Sequence, residues 1–332
     1  MKTIWNTHRP LMAFAAAMAA LVVVSIVGLV VDDRSLVGAP LWAKPFKFAV
    51  SLAIYSVTWA WLLSLQTRWR RLGWWLGTII AVAGVIEMVV IVGQQVRGHR
   101  SHFNTTTPLD TALWSIMGAS IGILFIANVI WVLLLWRQPL MDRAHTLALR
   151  LGATVSLAGL AVAFLMTSPT DSQMTKMEHG ESTIIGAHSV GVEDGGPGLP
   201  LLGWSTTGGD LRIPHFVGMH ALQIVPLASL VGFVVLRRFG ADSQRARMAL
   251  VWTFGAGYLG LLAIVTGQAL RGQPLLRPDA VTLGEILALV VAVGAGILVS
   301  LGLGLHKTND SSYDTSIVSF TGGSDDRFAR IR

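Results

Sequence analysis

The stretch that decides the fold is WWLGTIIAVAGVIEMVVIVGQQVRGHRSHFN, residues 74–104. Its apolar run extends over 74–93 and is interrupted by a single carboxylate, Glu87. A membrane-spanning helix needs about 20 predominantly apolar residues, so this run is long enough to cross a bilayer. A Gln- and Arg-containing end and a histidine-rich segment follow it. The stretch therefore predicts a transmembrane helix that carries an ionisable side chain and ends in a polar loop.

Comparable apolar runs recur along nearly the whole chain. Of the 332 residues, 53% are hydrophobic and 13% are charged, whereas a soluble domain carries roughly 25% charged residues. The sequence predicts spans at 11–31, 48–66, 74–93, 113–136, 150–166, 215–236, 248–270 and 283–305. We therefore expect an all-α membrane protein with about eight transmembrane helices, whose surroundings are the lipid bilayer.

The charge distribution predicts how the chain is oriented in the membrane. The net charge is +7, but the basic residues lie in short loops between apolar runs, which indicates topology signals and not nucleic-acid binding. Most of the 25 Lys and Arg residues fall on alternate loops that share a side with the N-terminus. The positive-inside rule then places both termini in the cytoplasm of a multi-pass cell-membrane protein. The absence of cysteine excludes disulfides and thiolate metal sites.

The chain divides into four segments by composition. Residues 1–166 are predicted to form a first four-helix half plus the fifth span, and residues 214–305 to form spans six to eight. Between them, residues 167–213 are rich in Gly, Ser, Thr and Pro, which predicts a flexible extracytoplasmic loop. The polar residues 306–332 are predicted to form a disordered cytoplasmic tail.

An internal repeat is indicated by two similar helix ends. IVGQQVRG at 91–98 resembles IVTGQALRG at 264–272, which matches Gln94 with Gln268 and Arg97 with Arg271 at an offset of about 174 residues. The pairs PFKF at 45–48 and PHF at 214–216 begin the second and sixth spans in a comparable way. The pattern predicts two tandem four-helix units in parallel orientation, with chance similarity of apolar helices as the alternative.

Glu87, Gln94 and Arg97 form one stripe on the third predicted helix, because they are spaced by seven and three residues. Ionisable groups inside a membrane usually face the bundle interior and have a partner, so the stripe is a candidate site. The alternative is a structural interaction between helices, with Arg271 or a neighbouring Trp or Tyr as the partner.

Histidines supply the second set of candidates. His102 lies in the short loop RGHRSHFN, and GDLRIPHFVGMHALQ at 209–223 carries Asp210, Arg212, His215, His220 and Gln223. His215 and His220 diverge by about 140° on a helix, which argues against a metal held by these two alone, whereas His220 and Gln223 share a face. A ligand to haem, a metal ion or a quinone is one interpretation, and a buried neutral histidine satisfied by a carbonyl is the other.

The candidate residues fall into two groups. The cofactor-binding candidates are His102, His215, His220 and Gln223. The substrate-binding or charge-setting candidates are Glu87, Gln94, Arg97, Asp210, Arg212, Gln268 and Arg271. No residue is assigned a catalytic role or a role as a metal ligand.

Other polar residues are explained by structure alone. Thr107 with Asp110, and Thr282 with Glu285, fit the helix-capping box. Lys44 and Lys47 lie among aromatic residues at the start of the second span, which is typical of interfacial anchors. His179 and His188 lie in the predicted flexible loop and receive no role.

The motifs KPFKF, RGHRSHFN and DLRIPHFVGMHALQ resemble those of a family of bacterial polytopic membrane proteins, which we expect more narrowly to be actinobacterial. The resemblance implies no particular activity. A composition rich in Arg, Ala and Gly also predicts a bacterial origin. The two-times-four helix plan is similar to that of haem A synthase. That resemblance implies haem ligands in matching helices of both halves, but His220 aligns near Ser51, so the paired histidines are absent.

Three functions are compatible with these features. The first is a redox protein that binds haem, a metal ion or a quinone near the extracytoplasmic face. The second is a transporter or lipid-binding protein, and the third is an accessory or assembly protein. The motifs of P-loop NTPases, serine hydrolases and zinc proteases are not found, so the sequence does not decide whether the protein is an enzyme. It predicts no particular protein partner.

Overall fold

The structure is a computed structural model and describes residues 4–179, 181 and 183–313. Within these residues, eight helices are long and apolar enough to cross a membrane, which confirms the predicted all-α membrane fold. Their bounds reproduce the predicted spans closely. Each helix begins where the apolar run begins and ends at a polar or glycine-containing loop.

The first half contains α1 (Ile4–Thr7), α2 (Arg9–Val31), β1 (Ser35–Leu36), β2 (Ala39–Pro40), α3 (Ala43–Leu65), α4 (Arg70–Val96) and α5 (Pro108–Trp136). The second half contains α6 (Arg143–Val162), a 3-10 turn (Ala163–Thr167), α7 (Asp171–Glu178), β3 (Ser189–Val190), β4 (Gly209–Asp210), α8 (Arg212–Met219), α9 (Ala221–Arg238), α10 (Gln244–Leu270) and α11 (Ala280–Tyr313). The two strand pairs, β1–β2 and β3–β4, are short and antiparallel.

The helices pack in the same order in both halves. In the first half, α2 contacts α3 and α4, α3 contacts α4, and α4 contacts α5. In the second half, α6 contacts α9 and α10, α9 contacts α10, and α10 contacts α11. The halves meet where α5 packs on α6, and Leu222 of α9 belongs to the apolar core of the first half.

Helices α4 and α10 end in the same capping motif. Gly98 (φ 74°) and Gly272 (φ 71°) adopt the left-handed conformation that glycine tolerates best. The next N–H group donates back into the helix in both cases, from His99 to the Gln94 carbonyl (2.9 Å) and from Gln273 to the Gln268 carbonyl (3.1 Å). This is the Schellman arrangement. The matching sequences at 91–98 and 264–272 therefore have matching local structures.

The two predicted capping boxes have different outcomes. Thr107 is the N-cap of α5, and its hydroxyl accepts from the Asp110 N–H at 3.1 Å. The prediction for Thr282 is wrong, because α11 begins two residues earlier and Asp279 accepts from the Thr282 N–H at 2.8 Å. Aspartate and threonine are both good N-cap residues, so Asp279 and Thr282 are both plausible starts for this helix by sequence.

The sixth crossing has a one-residue irregularity at His220, where α8 ends and α9 begins, although His220 keeps a helical conformation and the hydrogen bonds to Phe216 and from Ile224. Two backbone carbonyls beside the irregularity accept side-chain hydroxyls from neighbouring helices. Tyr258 of α10 donates to the Val217 carbonyl at 2.8 Å, and Ser156 of α6 donates to the Met219 carbonyl at 3.0 Å. Hydroxyls supplied by other helices satisfy freed backbone groups at such irregularities inside a membrane.

The segment 167–213, predicted to be a flexible loop, contains regular structure in its described part. It forms α7 and the antiparallel pair β3–β4, and Asp210 within it is 1% exposed. The polar composition of this segment does not show which of its side chains contact the helical bundle. Helix α11 continues to Tyr313 and so includes the first residues of the predicted tail, whereas residues 314–332 lie outside the described residues.

The loops at 32–42, 97–107, 163–211 and 271–279 share one end of the bundle, which we call the polar face. Eight crossings place the start of α2 and the end of α11 at the opposite end. The cytoplasmic location of that opposite end stays a prediction.

The crossing of α6 and α8 depends on two glycines and provides a test of the fold. A Cβ atom at Gly159 would lie 2.4 Å from the backbone of Gly218, whereas one at Gly122 would meet nothing within 4 Å. We expect Gly159→Ala to reduce the free energy of unfolding by about 1–3 kcal/mol because the two backbones must separate. Thermal unfolding in detergent measures the effect, with Gly122→Ala as the matched control. Equal midpoints for the two variants would contradict the close crossing.

Candidate functional site

The loop between α4 and α5 folds back into the bundle and buries its centre. Ser101 and Phe103 are 1% and 3% exposed. Residues 183–185 hold the loop in place, since Ile185 donates its N–H to the Phe103 carbonyl at 2.9 Å and Thr105 donates to the Thr183 carbonyl at 2.9 Å. His102 is thereby directed towards the interior and not towards solvent.

His102 connects a lysine and a carboxylate from two different helices. Lys44 Nζ at the start of α3 lies 3.1 Å from His102 Nδ1, and Ser101 Oγ lies 3.1 Å from the same nitrogen. His102 Nε2 lies 3.5 Å from Glu87 Oε1 of α4. When Lys44 donates as an ammonium group, the neutral ring carries its proton on Nε2, facing Glu87. We call Lys44, His102 and Glu87 the buried triad.

The carboxylate of the triad is incompletely satisfied. Glu87 is 5% exposed, and its second oxygen, Oε2, is buried without a hydrogen-bond partner. A carboxylate inside a membrane is costly unless it is paired, and an unsatisfied buried oxygen adds to that cost. The partner that the sequence suggested, Arg271, contacts Thr282 and Glu285 and not Glu87.

A second histidine lies beside the triad. The ring centroids of His102 and His188 are 6.2 Å apart, and Phe103 packs between the two segments at 4.9 Å from His188. His188 Nδ1 lies 2.8 Å from Asp194, which also accepts the N–H groups of His188 and Ser189. Although burial raises the pKa of Asp194, the hydrogen bonds from His188 and Ser189 lower it overall. Asp194 therefore stays ionised and fixes the His188 ring.

His215 completes the cluster from α8. Its Nδ1–H donates to the Gly159 carbonyl of α6 at 2.8 Å. Burial lowers the pKa of His102 well below its ordinary value, and the charges of Lys44, His188 and His215 lower it further. Lys44, His102, His188 and His215 are therefore close enough to interact electrostatically. Because its pKa is lowered so far, the His102 ring is neutral at pH 7.

The segment 199–212 covers the cluster on the polar face. Lys47 of α3 donates to the Leu202 carbonyl at 2.6 Å, and Arg212 donates to the Gly203 carbonyl at 2.6 Å. Arg212 also forms a two-point ion pair with buried Asp210 (2.9 and 2.6 Å). Asp210 and Arg212 thus hold the cover in place, and neither side chain contacts the triad through a hydrogen bond.

The other predicted charge-setting residues lie in two separate networks. Gln94 donates to Asp110 at 2.8 Å, and Arg97 lies 3.3 Å from the same carboxylate, so this part of the predicted stripe joins α4 to α5. In the second half, Gln268 donates to the Pro274 carbonyl at 2.9 Å, and Arg271 donates to Thr282 at 2.8 Å. The structure does not bring these four residues to Glu87.

His220 and Gln223 form a third location, at the irregularity between α8 and α9. Gln223 Nε2 donates to Thr58 of α3 at 3.2 Å. The His220 ring packs on Phe216 with centroids 4.4 Å apart. Of the predicted cofactor-binding residues, the structure therefore groups His102 with His215 and places His220 and Gln223 beyond them.

The described residues form no ready-made metal site. Among the described residues, no three His, Asp or Glu side chains are positioned to hold one ion. His102 has both ring nitrogens in contact with protein groups, whereas His188 and His215 each use Nδ1. The chain matches no protein-family model, no curated protein and no solved structure.

Sequence reasoning missed Lys44, His188, Asp194 and Ser101. Lys44 was interpreted as an interfacial anchor, because a lysine among aromatic residues has the same pattern whether its amine points outwards or inwards. His188 and Asp194 lie in a glycine-rich segment, and a separation of six residues has no diagnostic meaning there. The remaining signal was that charged residues are rare in so apolar a chain, so each one near a span is a candidate for a specific role.

The neutral histidines predict a loss of stability in acid. Because the folded-state pKa values of His102 and His188 are lowered by burial, the unfolded chain binds more protons below the ordinary histidine value near 6.5. Stability is therefore present above that pH and is lost as the pH falls through it. We expect the unfolding midpoint to fall by several degrees between pH 7.5 and 5.5, and to fall less in His188→Gln.

The exposed His179 of the same segment supplies the control, since His179→Gln should retain the wild-type pH dependence. Identical pH profiles for wild type and His188→Gln would show that the His188 ring does not resist protonation.

Proposed function

We propose that the protein is a proton-coupled membrane transporter in which the buried triad binds and passes on a proton near the extracytoplasmic face. The observation that carries the proposal is His102, whose two ring nitrogens contact Lys44 and Glu87, two groups able to release and accept a proton. Histidine is the side chain best suited to shuttle protons between such groups.

The proton transfer balances within the triad. Glu87 takes the Nε2 proton of His102, and the ring takes a proton from Lys44 at Nδ1. The charged pair of ammonium and carboxylate thereby becomes a neutral amine and a neutral carboxylic acid. In an environment of low dielectric these two states are much closer in free energy than they are in water, because neutral groups lose less on desolvation.

Two features of the fold support transport. The sixth crossing has a one-residue irregularity at His220, five residues after His215, and transporters commonly form their binding regions at irregular points of membrane helices. The helices also pack in one order in both halves, and the ends of α4 and α10 share one capping motif. Both observations support the proposed internal repeat, with the site specialised in the first half. The orientation with cytoplasmic termini forms part of the same proposal.

A redox site is the second candidate function. His188 and His215 each present Nδ1 to an acceptor, Asp194 and the Gly159 carbonyl. Such contacts are typical of imidazoles whose other nitrogen binds a metal. Absorbance and metal analysis of protein purified in mild detergent would distinguish this candidate, because a haem band or stoichiometric metal would favour redox chemistry over proton transfer. No contact among the described residues favours an accessory role.

A pH jump tests proton binding without requiring the substrate. Proteoliposomes on a solid-supported membrane should give a transient current when the pH changes from 7.5 to 6.5. We expect Glu87→Gln and His102→Asn to reduce the displaced charge at least tenfold, since each removes one proton-binding group. Glu285→Gln is the matched control, because the Glu285 side chain is 39% exposed and pairs with Arg271 and not with a member of the triad.

Wild-type current in Glu87→Gln would contradict the proposal. So would an equal loss in Glu285→Gln, which would show that the current reports the general charge of the protein.

A further inference from the structure

The connection between α3 and α4 concentrates positive charge at the end of the bundle opposite the polar face. Arg68, Arg70 and Arg71 lie within four residues, and all three side chains are exposed. Arg68 donates its backbone N–H to Gln138, but among the described residues no ion pair or side-chain hydrogen bond involves any of the three guanidinium groups. Their charge is therefore free to act on a ligand.

The start of α2 adds a fourth arginine. The buried His8 accepts the Leu11 N–H at Nδ1 (3.1 Å), so its ring carries the proton on Nε2 and donates to the Trp74 carbonyl at 2.8 Å. This bond holds the start of α2 against the first turns of α4. Arg9 follows His8 directly and is exposed. We call Arg9, Arg68, Arg70 and Arg71 the basic patch.

The basic patch has no acidic counterpart in the described part of the chain. Residues 1–31 and 35–86, which include α1, α2, α3 and most of α4, contain no Asp or Glu. At this end of the bundle the described acidic side chains are Asp142 and Asp242, and both pair with groups of the second half. Their partners are His145 for Asp142, and Arg237 and Arg247 for Asp242.

The C-terminal segment does not supply the missing negative charge either. In residues 307–332 four acidic residues are matched by four basic ones: Asp310, Asp314, Asp325 and Asp326 against Lys307, Arg327, Arg330 and Arg332. The segment is therefore neutral and is a poor counterion for four arginines. The charge of the basic patch has to be balanced from outside the chain.

Exposed tryptophans surround the basic patch. They are Trp5, Trp69, Trp74 and Trp75, and the rings of the last two meet edge to face with centroids 5.0 Å apart. Tryptophan rings in membrane proteins lie at the level of the lipid headgroups, so the guanidinium groups beside them lie at that level too. The comparably basic segment 237–247 contains no tryptophan. Charge and interfacial rings coincide at the basic patch.

Phosphate is the anion that this arrangement suits. A guanidinium group binds phosphate oxygens through two parallel N–H···O bonds, and clusters of basic residues beside a membrane span attract anionic lipids. A zwitterionic headgroup brings its own cation and leaves the arginines unbalanced, whereas an anionic headgroup neutralises them. We propose that the basic patch binds the headgroups of anionic phospholipids in the adjoining leaflet. This binding is independent of proton transfer in the triad.

Native mass spectrometry of the full chain in mild detergent tests the lipid preference. The probes are phosphatidylglycerol and phosphatidylcholine with the same acyl chains. We expect wild type to bind phosphatidylglycerol at least tenfold more tightly, because each basic residue at a membrane surface contributes about fivefold to the binding of anionic lipid. The triple variant Arg68→Gln, Arg70→Gln and Arg71→Gln should lose this preference.

A second triple variant supplies the matched control. Arg143→Gln, Arg238→Gln and Arg245→Gln remove the same charge from exposed arginines at the same end of the bundle, and the preference should remain. Equal affinities for the two lipids in wild type would overturn the proposal. So would equal losses in the two triple variants, which would show that binding follows net charge alone. Arg71→Gln alone should lower the affinity for phosphatidylglycerol about fivefold, which keeps the test valid if the first triple variant fails to fold.

Discussion

The burial of Glu87 within a membrane helix is the constraint on which the rest of the structure depends. A carboxylate at this depth is costly unless a partner reaches it, and α3 and α4 alone do not provide one at hydrogen-bond distance. The partner comes from the loop after α4, which turns back into the bundle and brings His102 to within 3.5 Å of Glu87. Lys44 then approaches from the start of α3 and contacts the other side of the same ring. One imidazole thereby joins two helices, and in the proposed function it is the group that passes on the proton.

The surrounding elements keep that imidazole in place through a series of specific contacts. Residues 183–185 pair with the returning loop, and Asp194 orients His188 beside His102. The Asp210–Arg212 pair holds the covering segment over the site. On the membrane side, the close approach of Gly159 and Gly218 lets α8 reach α6, which places the His215 ring at the cluster. The polar segment of 47 residues that the sequence leaves between two spans is therefore a structural part of the site.

The helices were predictable, and the site was predictable only in part. Apolar runs have a direct physical meaning in a bilayer, so the spans agree with α2 to α11 to within several residues. The unusual status of Glu87 was also predictable, because a lone carboxylate in an apolar run is rarely without a role.

The partner of Glu87 was not predictable from the sequence. Helical spacing grouped Glu87 with Gln94 and Arg97, but these two residues contact Asp110. The neighbour of Glu87 lies in a loop whose path is set by its pairing with residues 183–185, about 80 positions later in the chain. The inward direction of the Lys44 side chain likewise depends on tertiary contacts, so the sequence pattern alone does not predict it.

The central claim is that Glu87 and His102 exchange a proton as one coupled unit. Infrared difference spectroscopy measures this directly, because the carbonyl stretch of a protonated carboxylic acid inside a membrane is separated from the other bands. Spectra recorded between pH 5 and 9 should show such a band in wild type, its loss in Glu87→Gln, and a displaced titration midpoint in His102→Gln. The imidazole bands should change over the same pH interval as the carboxyl band. A carboxyl band that titrates identically in wild type and His102→Gln would contradict the account.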